Sequence, residues 1–248
     1  MKILLSTIFS AFFMLMAFTV NAIPVKVALG LSIDGSRSIR TTDFDLQRQA
    51  YLNVLADSSV LPSNGSVVIY VNQFSGAAAT VAPARRISSE ADRAALLSDI
   101  SAMSQIGNYT NISLAIELAA IKLNAFLGTL AGGEIDPNLK KIVDVSTDGR
   151  WNTGINPALA ANDLIINGSL DAVNCLGIGL SADCSFIAGQ DSFSMTASDF
   201  AAFEDALRRK IQIEIGDSIS VPEPATLALL GIGLTGLGFF GRRNLQAA

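Results

Sequence analysis

Three polar elements of the chain carry the oxygen donors of a hard-cation site. Asp34, Ser36 and Ser38 alternate in "DGSRS", directly after the apolar run "VKVALGLSI" at residues 25–33. Thr110 stands in "GNYTNIS", and Asp148 follows a second apolar run in "VSTDG". Two carboxylates and three hydroxyls are the ligand types that Mg²⁺, Ca²⁺ or Mn²⁺ prefer, and the set leaves coordination positions for water and an outside ligand. Each element also has a plainer use. Asp34 and the serines form turns, Thr110 caps a helix, and Asp148-Gly149 is a turn. Their order and their places after strand patterns favour the cation site over three unrelated turns.

The chain contains no histidine. Imidazole zinc sites, Ser-His-Asp triads and Cys-His dyads are therefore excluded. A nucleophile elbow, a P-loop and a dinucleotide-binding glycine motif are also missing. Carboxylates that meet only in space, as glycosidases require, would leave no trace in sequence, but no pair is singled out. The expectation is a binding protein, not an enzyme. The net charge is −5, from 22 acidic and 17 basic residues, which argues against nucleic acid as a partner because phosphate binding needs a basic face.

The elements that must position these donors alternate between strand and helix. Strand patterns run over 25–33, 66–74, 140–149 and 170–180; the first is mostly apolar, as a strand covered on both faces is, and the third is short and ends in an aspartate. Residues 77–87 read as an antiparallel neighbour of 66–74, placed at a sheet edge by Pro83. Helices are expected over 41–57, 89–103, 111–127, from Pro157 into "ALAANDLIING", and over 198–213, where Phe200, Phe203, Leu207 and Ile211 share a face. The pattern predicts an α/β domain, doubly wound, with a mainly parallel central sheet, helices on both faces and one short antiparallel edge strand. Ligands of such sheets bind beyond the strands' carboxyl ends, where the three donor elements fall.

Both ends read as addresses. "MKILLSTIFSAFFMLMAFTVNA" has a basic start, an apolar middle and a small-residue exit, the pattern of a Sec signal peptide cut after Ala22. Near the other end, Pro222-Glu223-Pro224 precedes an apolar run over 225–241 and then Arg242 and Arg243. The run is long enough for a thin transmembrane span, so contact with a membrane is expected at least transiently. The expected domain occupies 23–217, between the signal peptide at 1–22 and the tail at 218–248. In an exported chain, Cys175 and Cys184, nine positions apart, form a disulfide by default, with two buried thiols as the weaker alternative.

The order of motif, apolar segment and basic cluster resembles the PEP-CTERM sorting signal. That resemblance implies recognition by an exosortase in a Gram-negative bacterium that makes exopolysaccharide. It places the protein in the envelope, on the cell surface or in the extracellular matrix, and makes biofilm cohesion a natural setting.

The set D-x-S-x-S, a later Thr and a later strand-end Asp is similar to the metal-ion-dependent adhesion site (MIDAS) of von Willebrand factor type A domains. The similarity covers roughly 25–215 and is nearest to a bacterial branch with the pattern present here as "VDVSTDGRWNTG", 143–154. It implies that Ser36, Ser38 and Thr110 coordinate a divalent ion directly, and that Asp34 and Asp148 do so directly or through water. The open position would accept an acidic group of a protein or polysaccharide ligand. Tyr109, Trp151 and Asn152 lie beside these motifs as possible ligand contacts. The alternative is a structural matrix protein whose metal site is vestigial or purely structural.

Overall fold

The computed structural model describes residues 23–216. Six strands form one sheet: β1 (Val25–Asp34), β2 (Val67–Phe74), β3 (Ala78–Arg86), β4 (Ile135–Thr147), β5 (Ala172–Ile178) and β6 (Ser194–Ala197). Their spatial order is β3-β2-β1-β4-β5-β6, with only the β2–β3 pair antiparallel. Five α-helices accompany them: α1 (Thr41–Ala56), α2 (Glu90–Ser101), α3 (Ile112–Leu127), α4 (Pro157–Ile166) and α5 (Phe203–Gly216). The expected class is the observed one. Pro83 lies in the edge strand β3, where a missing N–H costs no inner ladder bond.

Strand alternation assigns the two faces. Gly30 and Ser32 of β1 face α3. A side chain at Gly30 would meet the Ala119 Cβ at 3.1 Å, and the Ser32 hydroxyl donates to the Ala115 carbonyl at 3.5 Å. The glycine lets helix and sheet approach closely. Ile112, Ala115, Ile116, Ala119 and Leu123 of α3 are buried there with Val143, Val145 and Val173, and α4 packs against α3. The other face carries α1, flanked by α2 and α5, with the rings of Tyr51 and Phe203 5.7 Å apart. Each fully buried Ile, Leu or Phe contributes about 1.5–3 kcal/mol, so both layers are firmly tied to the sheet.

The structure moves some expected boundaries. Helix α5 begins at Phe203, so Phe200 precedes it, and Asp199 accepts the Ala202 N–H at 2.9 Å just before the first turn. Strand β6 was not anticipated. It is only four residues long and mostly solvent-facing, and it is held by parallel pairing with β5. Thr41 and Thr42 lie inside the first turn of α1, whose N-cap is Arg40. The Cys175–Cys184 disulfide is present and ties β5 to the loop that follows it.

Among the described residues no helix is long and apolar enough to cross a membrane. The signal segment with Ala22, the motif Pro222-Glu223-Pro224 and the apolar run 225–241 lie outside the described residues.

Candidate cation site at the strand carboxyl ends

The chain leaves β1 for β2 on one side, and β4 occupies the other side of β1. This divergence makes the carboxyl ends of β1 and β4 the switch point of the sheet, where an α/β fold opens a crevice. Asp34 is the last residue of β1, and Asp148 follows the last residue of β4. The two carboxylates are neighbours because their strands pair in parallel, Ile33 beside Ser146.

One chain of hydrogen bonds joins four of the five expected donors. The Ser36 N–H donates to Asp34 Oδ1 at 2.8 Å, the Ser36 and Ser38 hydroxyls lie 3.0 Å apart, and Ser38 Oγ donates to Asp148 Oδ1 at 2.7 Å. Asp34 and Ser36 are buried, Asp148 is half-buried and Ser38 is exposed, so the donors lead from the interior to the surface. A Cβ at Gly35 would stand 2.7 Å from Gln73 Cδ, so a side chain there would have to displace the Gln73 amide.

Thr110 reaches this cluster through the backbone. Its N–H donates to Asn152 Oδ1 at 2.9 Å, and its carbonyl accepts the Asn152 N–H at 3.0 Å. Asn152 thus clamps the Thr110 loop to the Asp148 loop. The cap of α3 is Asn111, whose side chain accepts the Leu114 N–H, which leaves the Thr110 hydroxyl out of that role. A third loop is laced in as well. The Arg37 N–H donates to the Asn108 carbonyl at 3.0 Å, and the Gln105 side chain donates to the carbonyls of Ser36 and Ile39. Asn108 adopts φ of +90°, a strained conformation for a residue with a side chain, held at the point where two loops meet. Tyr109 and Trp151 stand exposed on the rim.

Two supporting residues carry no signal in sequence. Thr147 donates its hydroxyl to Asp34 Oδ2 at 2.6 Å, and Gln47 of α1, itself buried, donates to the Asp34 carbonyl at 2.9 Å. Burial raises the Asp34 carboxyl to about 6, against hydrogen bonds from Ser36 and Thr147 that lower it, and the nearby Asp148 charge raises it further. Burial likewise raises Asp148, which the Ser38 hydrogen bond partly offsets. Two carboxylates that repel each other beside two hydroxyls are what a divalent cation would relieve. Among the described residues no group of three or more His, Cys, Asp or Glu side chains gathers as a metal site, so any cation here depends on the hydroxyls.

A second polar cluster went unread in the sequence. Asp144 of β4, Lys210 and Glu214 of α5 and Asn174 of β5 are all buried. Lys210 Nζ lies 2.7 Å from Asp144 Oδ1 and also pairs with Glu214, while Asn174 donates to Glu214 at 2.8 Å. The available signals were a charge in the apolar strand "IVDVS" and the i, i+4 spacing of Lys210 and Glu214.

The family model described as "Protein of unknown function (DUF1194)" matches residues 24–219, and the PEP-CTERM protein-sorting motif matches residues 220–244. A search of curated proteins finds no match. Among solved structures, proximal thread matrix protein 1 from the mussel byssus superposes with a TM-score of 0.60 at 21% identity, covering 77% of this chain and 48% of that one. A crystal of the same mussel protein with a zinc-occupied MIDAS motif gives a TM-score of 0.56 at 18% identity, over 78% and 48%. A von Willebrand factor type A structure from Catenulispora acidiphila gives 0.59 at 16% identity, over 78% and 43%. The chain spans less than half the length of each of these structures. Likeness at this level establishes the fold, which is that of von Willebrand A domains.

Proposed function

The chain belongs to the DUF1194 family, and from that premise and the site geometry we propose that its domain is an adhesion module that binds through a divalent cation. The observation that carries this reading is the continuous set Asp34, Ser36, Ser38 and Asp148 at the switch point, joined by contacts of 2.7–3.0 Å. The oxygen-only donor set suits Mg²⁺, with Ca²⁺ or Mn²⁺ as substitutes. Zinc in the MIDAS motif of the mussel protein supports a divalent ion at this place in the fold. Ser36, Ser38 and Thr110 would hold the ion directly, and Asp34 and Asp148 directly or through water. When bound, the ion supplies an electrophilic position for a carboxylate of a protein or polysaccharide ligand. The chain's own residues order that position. Thr147 and Gln47 fix Asp34, Asn152 fixes the Thr110 loop, and Tyr109 and Trp151 border the approach.

The domain is proposed to bind and not to catalyse, since a cation held by these carboxylates and hydroxyls would give its open position to an acidic group of the ligand. The sorting motif supports export, processing by an exosortase and residence in the envelope, on the cell surface or in the matrix around it. It also supports a second reading, a matrix protein whose metal site is vestigial or purely structural. Melting temperatures with Mg²⁺, Ca²⁺, Mn²⁺ or EDTA test for the ion, and retention on an immobilised acidic polymer separates adhesion from a structural ion. The adhesion reading expects millimolar metal to raise the midpoint of the native protein and not that of Ser38→Ala or Asp148→Ala. It further expects Mg²⁺-dependent retention on an immobilised acidic polymer. A midpoint indifferent to metal, or one raised by metal without retention on the polymer, removes the first reading and leaves the second.

A further inference from the structure

The loop after β5 meets the candidate cation site from the side opposite Asp34. Strand β5 pairs with β4 on the edge away from β1, and the two strands end level, with Thr147 beside Gly177. The chain then doubles back over the end of β5. A side chain at Gly177 would stand 2.9 Å from the Ala182 Cβ and 3.4 Å from Cys184 Sγ. The returning loop places the Asp183 N–H on the Gly149 carbonyl at 3.2 Å. Residues 175–184 therefore touch both chain neighbours of Asp148, Thr147 by strand pairing and Gly149 by a hydrogen bond.

The disulfide is what keeps this loop in place. Cys175 is fully buried in β5 and is a fixed anchor, while the half-buried Cys184 belongs to the loop. Asp183, beside Cys184, also stands 4.0 Å from the largely exposed Arg150 guanidinium, a pair too open to contribute much. Among the described residues, Asp183 gives residues 148–151 their one backbone hydrogen bond from a distant part of the chain. Opening the crosslink returns conformational freedom to the loop, and a single hydrogen bond is too weak to offset that entropy.

We propose that the Cys175–Cys184 disulfide is coupled to the cation site: the closed crosslink docks the loop that seats Asp148, and its reduction releases that loop and weakens cation binding. The inference rests on the cation reading above. The element with two states is the segment after β5, docked on Gly149 or released, and both the crosslink and the ion favour the docked state. Coupling is reciprocal, so a bound ion protects the disulfide to the same degree. Reduction by an external dithiol is thiol–disulfide exchange. One thiolate of the reagent attacks the accessible Cys184 Sγ and Cys175 leaves. The second thiolate then attacks the mixed disulfide and Cys184 leaves, so the reagent becomes a cyclic disulfide and its two protons pass to the two cysteines. The oxidised protein is thus the form that takes up the ion, and a chain still in a reducing compartment holds it weakly.

The test titrates the purified protein with Mg²⁺ by calorimetry, oxidised and after reduction with dithiothreitol. The reduced protein should bind about fivefold more weakly or worse, the lower end of ordinary coupling between sites. Saturating Mg²⁺ should raise the dithiothreitol concentration for half reduction by the same factor. In metal-free protein, the Asp183 N–H should be protected from hydrogen exchange when oxidised and lose that protection when reduced. Asp183→Pro keeps the disulfide but removes the N–H, should bind as weakly as the reduced protein, and carries the test if reduction unfolds the chain. Leu170→Ala, buried just before β5 at the other end of the sheet, loses stability without touching the loop and should bind normally. No Mg²⁺ bound by the oxidised protein overturns the cation reading and this coupling with it. Equal affinity of the folded oxidised and reduced forms leaves the cation reading standing and overturns the coupling alone. Undiminished binding by folded Asp183→Pro, or equal weakening by folded Leu170→Ala, does the same.

Discussion

Thr147 and Asp34, the last residues of two paired strands, are joined by a buried 2.6 Å hydrogen bond from the threonine hydroxyl to Asp34 Oδ2. With the Ser36 N–H on Oδ1, both carboxylate oxygens are fixed in direction before any ligand arrives. The order of this site is therefore a property of the sheet, and several outcomes follow from it.

Thr147→Val removes the donor and keeps the shape. It should destabilise the fold by roughly 1–3 kcal/mol, the range for a buried acceptor left without its partner. It should also raise the Asp34 carboxyl further and move the onset of metal response to higher pH. Thr147→Ser should restore both. Urea unfolding and metal titrations of the three proteins measure this.

The metal-free protein should lose stability as pH rises through about 6. Asp34 is raised from 3.8 to about 6 in the fold, so its neutral form is the favoured one. Its contribution is full below 3.8 and gone above 6, a difference on the order of 3 kcal/mol. Mg²⁺ should act in the opposite sense, because it requires the carboxylate. Midpoints recorded from pH 4 to 8 in EDTA and in Mg²⁺ should diverge steadily above pH 5, and parallel curves would count against a cation at Asp34.

Glu214→Gln should stabilise the ligand-free protein at pH 8 and leave it almost unchanged at pH 4.5. Glu214 is raised from 4.5 to about 7, so the cost of its charge appears only as pH climbs through that window. Lys210→Met should instead cost about 3–5 kcal/mol at pH 8, since it leaves two buried carboxylates without their shared cation. Chemical denaturation of both variants at the two pH values distinguishes the effects.

Reduction of Cys175–Cys184, or Cys184→Ser, should lower stability by about 2–3 kcal/mol, the scale expected for closing a nine-residue separation. Thermal unfolding with and without reductant reads this directly.

The fold was legible where burial leaves continuous apolar runs. The inner strands β1, β2 and β5 are such runs, β4 shows only the short buried end Ile142–Thr147, and α3 shows its buried stripe at helical spacing. Strand β6 was not legible, because Ser194–Ala197 is short and half-exposed and takes its conformation from β5. Asp34, Ser36, Ser38 and Asp148 were legible as a motif and proved to be neighbours. Thr147 and Gln47 were not. Each serves Asp34 across a distance in sequence that local pattern cannot report, and a glutamine on a buried helix face looks the same whether or not it holds a carbonyl. Lys210 was hidden for the opposite reason, since a lysine on an amphipathic helix is ordinarily assigned to water.

The first strand of the domain lies inside the sheet, between β2 and β4, and its partner β4 ends at Thr147. A chain delivered from its amino end therefore presents its most central strand first and must wait for more than half of the domain before that strand is enclosed. Contacts this distant in sequence slow folding and prolong the exposure of an apolar edge. The loops at the switch point meet only after that delay, so Asp34, Ser36, Ser38 and Asp148 come together late in folding, once β4 has joined β1.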